Sequence, residues 1–434
     1  MSCTPPVRGV EPATFHRAGP TGPKKFPTVT AGIVCTLVVG CAIYGGLRAN
    51  LNGENFRIGE SLYNGQGFAN AMGKGTGPTA WAAPVYPTIF LGLLWVGEGD
   101  RDIVMTSVAV LQVCVLVGTC ILVLALAWQT TRHVGAWVAA AVFCGGLAYH
   151  FFYWFRLAHD CWLMLLAFDL LIAGACWLDP LGSRQRAAGW GAFGGFLSMI
   201  NPSIGLAWAA VSLLLAWRRG LWSGFGVALL AIFLALTPWT VRNLLVFGRL
   251  IPVKSNLAYE LYQTHLLQQE GGLYVAPTHK LHPSAAGGRE RKAYTDLGEA
   301  AYIDNRRTQF LDYLAANPID FLDRLAHRFL GTTVWYVPFN RADEESSPWS
   351  FWLRRLTFPL PFLALVFLLF TSFREPLSLP HWTVIVVYLS YLLPFIAVSY
   401  YERYTVPLVI VKALLVVWAA DRLGGTLRTQ ATLR

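Results

Sequence analysis

The sequence predicts an all-α polytopic membrane protein, and three observations carry that prediction. Of its 434 residues 55% are hydrophobic and only 13% are charged, with a mean hydropathy of +0.46, which excludes an ordinary soluble domain. The apolar residues fall in long blocks, several of them near the length of about 20 residues that a hydrocarbon layer of roughly 30 Å demands of a helix. When these blocks are threaded alternately through a bilayer, the Lys and Arg residues of the short connectors gather on one side. The net charge of +10, from 34 Lys and Arg against 24 Asp and Glu, therefore reads as membrane topology, and no nucleic-acid partner is expected.

The chain opens on a polar, Pro- and Gly-rich stretch to Pro27 that carries Arg8, Arg17, Lys24 and Lys25. No small-residue cleavage site follows the next block, so this reads as an uncleaved cytoplasmic N-terminus. The blocks are Thr28 to Gly46, Pro84 to Val96, Ile103 to Trp128, Val134 to Tyr149, Cys161 to Leu178, Ala187 to Ile200, Ile204 to Trp217, Gly224 to Thr240, Leu356 to Phe370, Trp382 to Ser399 and Val406 to Ala420. Pro84 to Val96 is short and opens on Pro-Val-Tyr-Pro, as an interfacial or re-entrant helix does, which leaves about ten spans. An N-terminal module over 1–245 with its first outer loop at 48–83, a long loop over 246–349, and C-terminal spans with a basic tail over 350–434 follow from this division.

The N-terminal basic group, Arg132, Arg184, Arg186, Arg218, Arg219, Arg374, Arg422, Arg428 and Arg434 then share the cytoplasmic side. The opposite side receives Arg48 to Ala83, Glu98 to Asp102, His150 to Asp160, Asn201-Pro202-Ser203, Asn243 to Pro348 and Tyr400 to Tyr404. This assignment treats 187–217 as a hairpin of two spans, because a single crossing would separate Arg184 and Arg186 from Arg218 and Arg219. In the long loop Arg289 to Ala316 reads as one helix, and Asn317-Pro318 as the cap and first residue of another whose apolar face holds Phe321, Leu325 and Phe329. None of the 8 cysteines lies between Asn243 and Pro348, so neither disulfides nor a Cys metal site holds that stretch. No internal repeat is present, which counts against repeat-built transporter folds.

The first outer loop reads Gly53-Glu-Asn-Phe-Arg-Ile-Gly-Glu-Ser-Leu-Tyr-Asn-Gly-Gln-Gly-Phe68, then Gly75-Thr-Gly-Pro-Thr79 and Pro84-Val-Tyr-Pro87. Further on come Tyr153-Trp-Phe-Arg-Leu-Ala-His-Asp160, Arg242-Asn243, Val253-Lys-Ser-Asn256, His282-Pro283, Leu297-Gly-Glu299 and Glu402-Arg-Tyr-Thr-Val-Pro407. In order, spacing and side of the membrane these motifs resemble the GT-C superfamily of membrane glycosyltransferases, especially bacterial relatives of the lipid A aminoarabinose transferases and protein O-mannosyltransferases. The resemblance implies a GT-C bundle of about ten spans, with juxtamembrane helices in the first outer loop and a long helical outer loop. It places Glu54 at the family motif's first carboxylate and Arg57 at its Arg. Glu replaces the family's Asp, and Trp81-Ala-Ala-Pro84 stands where the aminoarabinose transferases carry a Lys.

The implied reaction is inverting transfer of a sugar from a polyprenyl-phosphate donor to a glycan, lipid or protein acceptor, at the exterior face of a bacterial cytoplasmic membrane. Such a donor brings its own leaving group, so the enzyme must deprotonate the acceptor, align it with the anomeric carbon and stabilise the departing phosphate. Glu54 is the candidate base and Asp160 the second acid, with N-capping of the following helix as the alternative for Asp160. Arg57, Arg242, Lys254 and Arg403 are the candidate phosphate ligands, and His159, Tyr63 and Trp154 the candidate substrate contacts. No organic cofactor is implied, and the resemblance allows a divalent metal, Mg or Mn. Gly75 to Thr79 reads as a Gly/Pro turn before it reads as a phosphate loop, and His279 with His282 as a weak metal pair. Asp169 and Lys412, both placed within spans, are expected to neutralise each other. The competing functional readings are a ligase or polymerase with a polyprenyl-diphosphate donor, and a lipid or solute transporter.

Overall fold

The structure is a computed structural model, and it describes residues 28–44, 51, 53–131, 136–141, 144, 160–267, 281–337 and 348–432. About 78% of the described residues are helical and no named strand occurs among them, so backbone hydrogen bonds close within their own segments, as a lipid environment requires. Among the described residues four helices are long and apolar enough to cross a membrane: Arg101–Thr130, Trp222–Phe247, Phe351–Thr371 and Leu379–Ala397. Shorter apolar helices occupy Thr28–Gly40, Val85–Val96 and Cys161–Trp177.

In chain order the first helices are α1 (Thr28–Tyr44), α2 (Glu54–Tyr63), α3 (Val85–Val96), α4 (Arg101–Thr130) and α5 (Cys161–Trp177). They are followed by α6 (Arg184–Ile200), α7 (Pro202–Arg219), α8 (Trp222–Phe247) and the short α9 (Leu257–Tyr262). The polar stretch supplies α10 (Arg289–Leu297), α11 (Glu299–Ala316) and α12 (Pro318–Thr333). The chain closes with α13 (Pro348–Thr357), α14 (Leu360–Thr371), α15 (Leu379–Ala397), a 3-10 turn Glu402–Leu408 and α16 (Val409–Thr432).

Helix α4 starts where Asp100 accepts from the backbone N–H groups of Asp102 and Ile103, and α7 where Asn201 caps Ser203 with Pro202 in the first position. Asn201 also makes the turn between α6 and α7, and its Nδ2 reaches Met164 Sδ near the head of α5 at 3.7 Å. At the opposite end, Arg186 before the first of these helices and Arg219 after the second both pair with Asp179, at 3.5 and 3.0 Å. The hairpin thus returns the chain to the end it left. Small residues make its packing close: a Cβ on Gly191 would lie 2.1 Å from the Ala228 carbonyl oxygen, and one on Gly195 2.5 Å from Ala235 Cβ. Helices α6 and α8 therefore touch backbone to backbone, the contact that Gly-x-x-x-Gly spacing permits in apolar bundles.

Three expectations about this architecture are corrected. Arg289 to Ala316 is not one helix, because Gly298 adopts φ +73 and splits it into α10 and α11, and this swings the buried Glu299 inward. Asn317 does precede a helix with Pro at its first position, but its side chain makes no cap and instead donates back to the Tyr313 carbonyl at 3.1 Å. Nor do Asp169 and Lys412 pair. Thr119 Oγ1 donates to Asp169 Oδ2 at 2.6 Å, whereas Lys412 Nζ lies 5.2 Å from the centroid of the Phe358 ring and takes its electrostatic partner from Glu402. The heads of both helices lie at one end of the bundle, where Cys161 Sγ sits 3.4 Å from the Arg403 carbonyl. Asp169 is about 12 Å of helix rise from the head of α5 and Lys412 about 5 Å from that of α16, so the two miss each other in depth.

Candidate functional site

Helix α2 is too short to be stable alone, and it forms because Phe56, Ile58, Gly59 and Ser61 turn inward. Gly59 lets the helix lie directly on α3, where a Cβ would stand 2.6 Å from Phe90 Cβ, and Phe56 meets Phe90 edge to face at 5.4 Å. Helix α3 is tied to α5 by Trp162 Nε1, which donates to Tyr86 Oη at 3.0 Å. This stack fixes Glu54 in the first turn of α2, with Arg57 one turn on along the same face.

The connector after α2 folds on Asn70, which takes φ +64. Its Oδ1 accepts from the N–H groups of Gly75 and Thr76 at 3.1 and 3.2 Å, and its Nδ2 donates to Gln66 and Ser61. Those two backbone donors are consumed internally, so Gly75 to Thr79 is a turn and not a phosphate cradle. The next residues are held by the buried Glu299. It accepts from Thr79 Oγ1 (2.5 Å), the Ala80 N–H (2.7 Å), Ser255 Oγ (2.7 Å) and Tyr294 Oη (2.7 Å). One carboxylate thereby joins the first loop, the 250–256 segment, α10 and α11. Arg242 braces the same region: it donates to the carbonyls of Thr79 (2.8 Å) and Phe68 (2.9 Å) and to Asn243 Oδ1 (2.9 Å). Its guanidinium also lies 5.0 Å from the Trp239 ring centroid. Arg242, expected as a phosphate ligand, thus already donates to two carbonyls and one amide oxygen.

The same scaffold presents Lys254 and His282 to Glu54. His282 Nε2 stands 3.3 Å from Glu54 Oε1, with side-chain exposures of 17% and 28%. The Ser284 N–H donates to His282 Nδ1 at 3.1 Å, so the ring proton belongs on Nε2, the nitrogen that faces Glu54. Trp81 and Tyr259 hold the imidazole edge to face at 5.8 and 5.5 Å. Burial first, then the Arg403 and Arg57 charges, hold its pKa down at about 4 against the opposing pull of Glu260, and the ring is neutral near pH 7. Burial pushes the Glu54 carboxyl above its ordinary value; Lys254, Arg403 and Arg57 pull it back down, and Asp160 adds to the rise. A carboxylate whose proton affinity burial raises, within the field of three cations and a second acid, can accept a proton while an anion is held beside it.

Asp160 stands at the head of α5 without using its side chain as a cap, and it faces Arg403 and Glu54 electrostatically. Arg403 lies 5.2 Å from the Tyr404 ring centroid. The structure therefore brings Glu54, Arg57, Asp160, Lys254 and Arg403 together. It does not bring in Tyr63, which ends α2 against Gly99, roughly 13 Å of helix rise from Glu54. His159 and Trp154, with the aromatic run 150–155 and His279, lie outside the described residues. Sequence reasoning missed His282 as the partner of Glu54, and Glu260, whose Oε1 accepts from Asn256 at 3.1 Å and whose charge reaches His282. Its signals for His282 were the His282-Pro283 motif and the weak metal pair with His279. Among the described residues no three His, Cys, Asp or Glu side chains gather closely enough to hold a metal. Glu54 and His282 offer two donors, which does not fit a closed Mg or Mn site.

Comparison with known proteins gives no match to a protein family, to a curated protein or to a solved structure.

Proposed function

We propose that this chain is a membrane glycosyltransferase of the GT-C type. In this reading it transfers a sugar from a polyprenyl-phosphate donor, with inversion, to a glycan, lipid or protein acceptor at the exterior face of a bacterial cytoplasmic membrane. The observation that carries the reading is the Glu54 to His282 contact with Arg57, Lys254, Arg403 and Asp160 around it. A general base within reach of several cations is what displacement of a phosphate by a hydroxyl needs.

In this reaction the acceptor oxygen bonds to the anomeric carbon, the bond from that carbon to the phosphate oxygen breaks, and the acceptor's proton passes to Glu54. His282 fixes the carboxylate through its Nε2–H and stays neutral. The cations offset the charge that builds on the departing polyprenyl phosphate. Asp160 orients the acceptor hydroxyl from the head of α5. The ten-span bundle and the outward-facing site belong to the same proposal. Deleting the gene and comparing polyprenyl-phosphate sugars and surface glycans by mass spectrometry tests it: one lipid-linked sugar should accumulate as one glycan modification disappears. Unchanged pools and glycans, with a transported solute altered instead, would favour a transporter.

A further inference from the structure

Two arginines meet at the turn after α2, and among the described residues no carboxylate forms an ion pair with either. Arg57 Nη1 reaches the Ala71 carbonyl at 3.5 Å. Arg291, from the first turn of α10, reaches the Pro283 carbonyl at 3.4 Å. It lies so close to the same turn that a Cβ on Gly73 would stand 3.0 Å from its Nη2. Gly73, at φ +119, is where the backbone makes room for that guanidinium. Both contacts are long for charged donors, whose hydrogen bonds to an oxyanion run about 2.7 to 2.9 Å. Among the described residues neither arginine has an ion pair within 4.0 Å.

This arrangement contrasts with the rest of the polar region. Arg306 is closed by Glu290 at 2.8 Å, Arg324 by Asp320 at 2.8 Å, and Arg249 by Asp304. Each of those cations has its carboxylate, whereas Arg57 and Arg291 face each other. Burial, and after it the Arg57 charge, lower the pKa of Arg291. Two half-buried guanidiniums at one turn repel unless an anion neutralises them. Their planar forks offer donors of the kind that match a tetrahedral oxyanion.

We propose that Arg57 and Arg291 form an anion subsite beside Glu54 that binds a phosphate group, with Arg291 taking the ligand role the sequence reading gave to Arg242. Pro283, the anchor of Arg291, follows His282, so this subsite and the base share one wall. That its occupant is the donor's phosphate rests on the glycosyltransferase reading; that it binds phosphate does not.

The test is equilibrium binding to the full-length protein in nanodiscs of zwitterionic lipid, with a short-chain polyprenyl phosphate as probe, the matching polyprenol as uncharged control and inorganic phosphate as competitor. Wild-type protein should bind the lipid phosphate and not the alcohol. Arg291→Gln and Arg57→Gln should each weaken binding about ten- to a hundredfold, the range for a hydrogen bond to a charged group, while Arg249→Gln should leave it unchanged. Arg291→Lys, which keeps the charge but not the fork, should lie between and serves if Arg291→Gln does not fold. Competition by inorganic phosphate would identify a general phosphate site, and its absence a site that needs the lipid-borne group. Lipid-phosphate binding by Arg291→Gln at wild-type strength, or no binding by the wild-type protein, would overturn the subsite. Loss of binding in Arg291→Gln with no sugar transfer by any form would keep the subsite and remove the transferase reading.

Discussion

At the scale of single residues the account turns on how Glu54 is held. Burial raises its pKa, so the acid limb of the pH–rate profile should fall above the ordinary Glu value of about 4.3, activity being lost as pH drops through the raised value. The His282 Nε2–H favours the charged carboxylate. His282→Phe should therefore move that limb further up and lower kcat, whereas His282→Gln, which can keep a donor at the same place, should retain most of both. A limb that stays put in His282→Phe would mean that the imidazole only fills space. Glu299 has a different weight. Its buried carboxylate accepts four hydrogen bonds, and Glu299→Ala strands their donors, so we expect a loss of about 3 kcal/mol or more in thermal unfolding. Glu54 and Arg57 were legible in the sequence because they stand together in one short motif. His282 was not, because its contact with Glu54 depends on how the polar stretch folds back over α2. The bracing contacts of Arg242 were not legible, because a sequence displays a cation without the carbonyls to which it donates.

Secondary-structure elements were the most legible level. The apolar blocks locate α4 to α7 and the start of α8 closely, because burial of apolar residues continues to within a few residues of the ends of these helices. The break at Gly298 escaped because helical periodicity continues on both sides of it, and only the burial of Glu299 gives the glycine its conformation a purpose. The α6–α8 seam supplies an element-scale prediction. Gly191→Val forces a side chain against the Ala228 carbonyl and should cost about 1 to 3 kcal/mol by overpacking. Gly189→Ala, with nothing within 4 Å of the new Cβ, should be neutral or slightly stabilising as helix propensity rises. Equal thermal stability of the two variants would contradict the close contact.

Across the whole molecule the charges sort by end. Asp179, Arg186 and Arg219 cluster at one end, and the Glu54 site occupies the other. If the basic end is cytoplasmic, cysteines placed at Lys74, Lys254 and Arg289 should react with an impermeant thiol reagent added to intact cells, and cysteines at Arg186 and Arg219 should not. Labelling at position 186 from outside would invert the orientation. The failed pairing of Asp169 with Lys412 marks what the sequence conceals at this scale. Two charges in apolar blocks look like partners until the register of their helices is known, and here the 3-10 turn before α16 leaves Lys412 in its first turn.

The most direct measurement is sugar transfer by Glu54→Gln, read as the turnover of lipid-linked sugar by purified protein and as restoration of the glycan in a deletion strain. Gln keeps the size of the side chain and can accept from His282, but it cannot take the acceptor's proton. The folded variant should still bind donor and should lose at least roughly 100-fold in rate, while Glu60→Gln, which breaks only an exposed pair with Arg101, should keep most of it. Transfer by Glu54→Gln at near the wild-type rate would contradict the account and leave Asp160 as the acid to examine.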